Sequence, residues 1–136
     1  MPGRTAAISS GNRKTDKFFE KIIKILNSDK VEEIVLVKKL WDYGKNKKKE
    51  YLYGLVDDAE SEDNYIICLS NDKKKRETND IAKTLLHEVL HIIYMKKREL
   101  QILALEDYWW NKFSKGQKNI LRTYVPKRAR KYKPSI

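Results

Sequence analysis

Residues 84–94 read TLLHEVLHIIY and carry both histidines of the chain, His87 and His91. Residues four apart on a helix lie on one face, one turn apart. Two ring nitrogens can then address one point in space. Glu88 follows His87 directly, so it lies to the side of the pair. From there it can reach a water on a metal without ligating the metal, which is the mechanical content of the H-E-x-x-H pattern. A catalytic zinc takes three protein ligands and keeps a further position open. Ile81, Leu85, Val89, Ile92 and Ile93 form an apolar stripe at helical spacing, while Thr84, His87 and His91 share a neighbouring face. At ordinary residue frequencies the pattern arises by chance in fewer than about 1% of chains of this length. The blander alternative is a satisfied pair of core or surface histidines. The expected site is therefore Zn2+ on His87 and His91, with Glu88 as general base.

The third ligand must come from farther along the chain. The next helical stretch, RELQILALEDYWWNKF at 98–113, offers Glu99, Glu106 and Asp107. If the two helices form a hairpin turning near residues 96 and 97, positions pair by reflection. His87 then faces residue 106 and His91 faces residue 102. Glu106 is the first choice on height, and Glu99 the second. Glu99 also suits a first-turn acid opposing the helix dipole. Tyr94, Tyr108 and Tyr124 are candidate oxyanion donors, each otherwise a packing tyrosine. Of Trp109 and Trp110, which diverge by about 100° around a helix, one is expected in the core and the other partly exposed.

Outward from this motif the chain divides into recognisable pieces. TDKFFEKIIKILNSD has apolar residues at helical spacing, with Thr15 or Asp16 able to cap its start. VEEIVLVKKLW is rich in β-branched residues and predicts a buried strand. KEYLYGLV and NYIICLS are two further β-prone runs, joined by the acidic DDAESED as in a hairpin. SNDKKKRETND is too charged for an element interior, and the lysines at 45 and 47–49 suit a loop. Thr78 or Asn79 can cap the histidine helix, which is expected to run to Lys97. Gly116 is placed at the end of the following helix, and KNILRTYV can add another turn or two before Pro126. The order is helix, three strands, helix, helix. That predicts an α+β domain with a small, mostly antiparallel three-stranded sheet.

The chain has 136 residues, enough for one domain. The expected divisions are a disordered basic start at 1–14, a domain over 15–125 and a basic tail over 126–136. The single cysteine, Cys68, excludes an intramolecular disulfide and fits a small apolar role in a reducing compartment. The N-terminal stretch lacks the apolar core of a secretion signal, and no run is long enough to span a bilayer. A cytoplasmic protein without a membrane partner is expected. The net charge is +11, and no acidic residue follows Asp107. Lys127, Arg128, Arg130, Lys131 and Lys133 crowd the last segment and favour nucleic acid or an acidic protein surface. The bland alternative is a solvated tail.

The run LYGLVDDAESEDNYIICLSNDKKKRETNDIAKTLLHEVLHII resembles the small zincin peptidase domains of the ImmA/IrrE type, many of them encoded by phages or mobile elements. There a glycine-containing hairpin leads into a Thr-Leu-Leu-His-Glu helix, with a carboxylate on the next helix. Gly54, Ile66, Ile67 and Thr84 to Glu88 occupy the matching places over roughly residues 50–113. The resemblance implies a zincin-like fold, zinc at His87 and His91, Glu88 as general base and a protein substrate. Val89-Leu90 and LALEDYWWNKF depart from the common pattern, which leaves the third ligand open. Two functions are compatible with these residues. One is a zinc endopeptidase acting on an intracellular protein. The other is a zincin-fold structural or nucleic-acid-binding protein, associated with a virion or nucleoid and without proteolytic activity. The position of Glu88 favours the first.

Overall fold

The computed structural model describes residues 9–41, 51–59 and 63–134. Helix α1 spans Arg13–Leu26, followed by strands β1 (Val31–Val37), β2 (Leu40–Trp41), β3 (Tyr51–Leu52), β4 (Gly54–Asp58) and β5 (Tyr65–Ser70). Helices α2 (Lys73–Thr78), α3 (Ile81–Ile93), α4 (Glu99–Lys112) and α5 (Lys115–Thr123) complete an α+β domain. The lysine loop at 45–49 lies outside the described residues, as do residues 1–8 of the basic start.

The main sheet has the order β1-β5-β4 and is mixed, not mostly antiparallel. β4 and β5 form the expected antiparallel pair, Leu55 facing Cys68. β1 runs parallel to β5, with Val35 opposite Cys68 and Leu36 opposite Leu69. Adjacency along the chain favours hairpins, but β5 inserts between β1 and β4. Leu40 and Trp41 leave the sheet and pair antiparallel with Leu52 and Tyr51 in a separate ribbon. KEYLYGLV is thus two strands broken at Tyr53.

Both sheet faces are covered, which explains the unbroken apolar run YIICL in the central strand. One face sends Leu36, Tyr65, Ile67 and Leu69 into the main core with Phe19 and Ile22 of α1 and Leu85, Leu86 and Val89 of α3. The other sends Val35, Val37, Leu55 and Cys68 into a smaller cluster closed by Leu40, Leu52 and Tyr132. Burial, then the charges of Asp57 and Glu88, push the Cys68 thiol up to about 12. It is a packed apolar group at neutral pH.

α3 is buried round most of its circumference, Leu85, Leu86, Val89 and Leu90 all being inaccessible. Each such side chain contributes about 1.5–3 kcal/mol by leaving water. The helix start is fixed by Asp80, whose carboxylate accepts from the Ala82 amide at 2.9 Å. The helix ends at Ile93, one turn before Lys97. SNDKKKRETND contains the short α2, tied down by Arg76. Its guanidinium donates to the Ser70 and Tyr53 carbonyls and to the Thr84 hydroxyl at 2.8–2.9 Å. Gly116 lies inside α5, whose cap is Ser114 in a reciprocal box with Gln117. At the other end of the chain Asn12 caps α1. Asp16 instead accepts from Ser9, Ser10 and the buried Gln117, linking α1 to α5.

The segment after Pro126 lies against the sheet. The Arg130 amide donates to the Leu36 carbonyl at 2.8 Å, and Pro134 is buried. Phe18 stacks on Trp109 with centroids 4.0 Å apart and Trp110 lies under Lys118, but the two tryptophans are alike half-buried against the main core rather than split between core and surface. No helix among the described residues is long and apolar enough to cross a membrane.

Candidate metal centre

Helical spacing in α3 brings His87 and His91 together as expected. Their Nε2 atoms are 3.1 Å apart, and one ligand atom each from His87, Glu88 and His91 lies within 4.8 Å of the others. His87 is 12% exposed at its side chain and His91 28%. A cleft of about 610 Å³ opens on them, walled by α3, the first half of α4 and strand β4. Met95, Leu103, Ile92 and Val56 make much of its wall apolar.

The two carboxylates of α4 reach different nitrogens. Glu106 Oε1 lies 2.6 Å from His87 Nδ1. Glu99 straddles the pair, with Oε1 2.6 Å from His87 Nε2 and Oε2 2.8 Å from His91 Nε2. Reflection about the interhelical turn gave Glu106 the correct height beside His87. It could not say which ring nitrogen Glu106 meets, and that nitrogen points away from the convergence point. Glu99 reaches that point because the turn at 94–97 folds the start of α4 across the end of α3. Asp107 meets neither histidine; it accepts from Lys83 Nζ at 2.6 Å. The same ammonium lies 3.6 Å from Glu106.

This set of atoms requires positive charge at its centre. With the Nδ1 proton of His87 donated to Glu106, the neutral ring presents a lone pair at Nε2. A carboxylate oxygen 2.6 Å away then repels it unless a proton or a metal ion lies between. Burial lowers the affinity of His87 for a proton, but the Glu106 hydrogen bond and the charges of Glu88, Glu99 and Glu106 outweigh it. Its pKa rises to about 9. His91 is held below its ordinary value, burial and the neighbouring His87 outweighing Glu99. Two imidazoles and a carboxylate form a donor set typical of catalytic zinc. Tetrahedral ligands about 2.0–2.1 Å from zinc stand about 3.3 Å apart. The set would open by several tenths of an ångström, which the 59% exposed Glu99 side chain has room to do. A histidine whose second nitrogen is held by a carboxylate is the usual partner arrangement for such a ligand.

Glu88 points to the side of the pair and is 5% exposed. Burial, followed by the charges of Glu99 and Glu106, raises its carboxyl to about 8 against the opposing pull of His87. A cation at the Nε2 pair would favour its ionised form. β4 reaches this carboxylate because residue 54 has no side chain. A Cβ there would lie 3.0 Å from Glu88 Oε2, 2.8 Å from Thr84 Cγ2 and 3.0 Å from the Cys68 carbonyl oxygen. The glycine serves close approach of strand to helix. Thr84 is likewise structural, its hydroxyl donating to Asn79 Oδ1 at 3.0 Å.

Sequence reasoning missed several cleft residues. None of Tyr94, Tyr108 and Tyr124 lines it; Tyr53 and Tyr65 do. Tyr124 donates to Asn27 at 3.1 Å, and Tyr108 packs edge-on to Trp109. Tyr65 hydroxyl lies 3.3 Å from Met95 Sδ at the cleft mouth. No local signal marks Tyr53 and Tyr65, because strand pairing across the sheet puts them there. Of the basic-tail residues, Lys127, Arg128, Lys131 and Lys133 are exposed, while Arg130 donates to Glu33 at 2.6 Å. No family model matches the chain, and neither the curated proteins nor the solved structures give a match.

Proposed function

We propose that the protein is a zinc-dependent endopeptidase with a zincin-like arrangement, hydrolysing peptide bonds of an intracellular protein. The observation that carries this reading is the convergence of His87 Nε2, His91 Nε2 and the Glu99 carboxylate beside the buried Glu88. In this reading His87, His91 and Glu99 hold the metal, and Glu106 orients His87 through Nδ1. Zinc, when bound, supplies Lewis acidity to a scissile carbonyl and acidifies a water. Glu88 takes a proton on its carboxylate and returns it to the leaving amine. β4 borders the cleft and has no strand partner on its outer side among the described residues, so its backbone can hold an extended peptide. Glu88 also weighs against a purely structural metal, which would need the histidines and not this carboxylate.

The test combines metal content with cleavage. Elemental mass spectrometry should find one zinc per wild-type chain. Glu99→Ala should weaken zinc binding most, by ~100-fold or more. Glu106→Ala should weaken it by about 10- to 100-fold, as expected for a carboxylate that positions a ligand. Glu88→Gln should keep zinc and lose about 10²–10⁴-fold in cleavage of a proteome-derived peptide library. Zinc retained in Glu99→Ala but lost in Glu106→Ala would reverse the ligand assignment. A wild type that takes up no zinc, or a Glu88→Gln variant that cleaves normally, would leave the non-proteolytic alternative.

A further inference from the structure

We propose that the groove between the end of β1 and the C-terminal segment binds the phosphate backbone of a nucleic acid. This groove encloses about 730 Å³ and is separate from the metal centre. It is lined by Lys38, Lys39, Arg130, Lys131, Tyr132 and Lys133, together with Val37 and Ala129. It adjoins β1, whereas the cleft adjoins β4, and β5 lies between those strands. A bound polyanion would therefore leave the cleft accessible. The inference does not rest on the peptidase reading, and a chain that held no zinc would carry the same groove.

The lysines stand on a fixed backbone. Arg130 is tied to the sheet twice, by its amide to the Leu36 carbonyl and by its guanidinium to Glu33. Tyr132 turns inward, donating to Oδ2 of the buried Asp57 at 2.6 Å and packing on the Val35–Val37–Leu55 cluster. Residues 131 and 133, alternating with these two, are exposed. In an extended segment such alternate side chains recur about every 6.6 Å on one side. Lys38, also exposed, supplies charge from the turn after β1. Among the described residues, Glu33 beside this groove is paired with Arg130, and Asp57 is buried beneath the segment under Tyr132. The net field facing solvent is therefore strongly positive.

The chemistry selects among polyanions. Lysine ammonium groups act as point charges that meet phosphates without demanding one geometry, so sequence preference should be weak. The Tyr132 ring lies under Arg130, 5.5 Å from the guanidinium carbon, and its hydroxyl is bonded to Asp57. It is not free to stack on a base. An anionic membrane would want apolar side chains to insert beside the lysines. Among the described residues the large exposed apolar ones are Tyr53, Met95, Leu100, Leu103 and Tyr108, none of which lines this groove.

Fluorescence anisotropy with a labelled 20-nucleotide single strand, its duplex and an RNA of the same sequence would test this. Wild type should bind, and affinity should fall linearly with salt on logarithmic axes. The triple variant Lys38→Glu/Lys131→Glu/Lys133→Glu should bind at least tenfold more weakly. Its salt slope should be shallower by about 2, from roughly 0.7 per lost phosphate contact on a single strand. A control, Lys21→Glu/Lys96→Glu/Lys115→Glu, makes the same charge change at exposed positions elsewhere. It should lose less than threefold. Thermal melting should show both triples folded, since every substituted side chain is exposed. Equal losses in the two triples would mean diffuse attraction to a basic protein and would overturn the groove. Equal binding of charge-matched polyglutamate, or binding of phosphatidylserine vesicles in place of nucleic acid, would overturn the nucleic-acid assignment.

Discussion

The two edges of the three-stranded sheet are treated in opposite ways. At β1 the C-terminal segment lies alongside, and the Arg130 amide meets the Leu36 carbonyl. At β4 no strand is added among the described residues, and the edge faces the cleft that holds His87 and His91. An exposed edge is a template for unwanted pairing, so proteins usually cover it. Here the covered edge lies beside basic side chains and the open one beside Glu88. The difference teaches where the fold can tolerate an unpaired backbone: only where the opening itself has a use. It also separates the two kinds of chemistry, titratable ligands on one side and fixed lysines on the other.

Gly54→Ala should break the open edge most severely. The added methyl meets the Cys68 carbonyl oxygen at 3.0 Å, and backbone there cannot swing aside as a side-chain tip would. Thr84 Cγ2 and Glu88 Oε2 crowd it from α3. The expected cost is about 2–3 kcal/mol by urea unfolding. Glu88 should also shift, so cleavage should fall further than zinc content does. A variant as stable as wild type would mean that β4 and α3 do not approach so closely.

At the covered edge Tyr132→Phe should cost less. It removes the hydroxyl that donates to Asp57, a residue 1% exposed, but keeps the ring over Val35 and Val37. Burial and the Asp57 hydrogen bond together raise the Tyr132 phenol above its usual pKa, so it stays a donor throughout the neutral range. Losing one hydrogen bond to a buried carboxylate should cost about 1–2 kcal/mol in urea unfolding. Zinc content should not change, because the latch ends on Asp57 of β4, whereas the two histidines and the α4 carboxylates stand on helices. Loss of zinc in this variant would show that the edges are coupled and not independent.

What could be read from residue order alone divides along the same line. The α3 site was legible because His87, Glu88 and His91 lie within five residues, where helix geometry fixes their relation. β5 and its hairpin with β4 were legible from an apolar run and an acidic turn. The parallel pairing of β1 was not, because it depends on which strand inserts between which, and that is decided by packing across the whole sheet. Glu99 and Glu106 both meet the histidine pair, but which ring nitrogen each reaches was not legible. That is an angular question about two helices, and a hairpin drawn as a reflection carries only heights. The docked tail was hidden for a different reason. Its composition is that of a solvated segment, and the contacts that anchor it, through Ala129, Arg130, Tyr132 and Pro134, are scattered single residues that raise no compositional signal.

Arg130→Ala should have the smallest effect of these, and that smallness sharpens the contrast between anchoring and display. Its ion pair with Glu33 is short at 2.6 Å, yet the two side chains are 49% and 47% exposed. Solvent screens such a pair, and holding two long side chains in register costs entropy, so the net contribution is about 0–1 kcal/mol. The amide that meets Leu36 is backbone and survives the substitution. Urea unfolding should therefore move by less than about 1 kcal/mol, and the tail should stay docked through Tyr132. Nucleic-acid affinity should fall less than for Lys131→Ala, because the guanidinium already faces Glu33. A loss as large as that of Tyr132→Phe would mean that the ion pair, and not the phenol, holds the segment down. The lysines would then be displayed by an electrostatic clasp that salt could open.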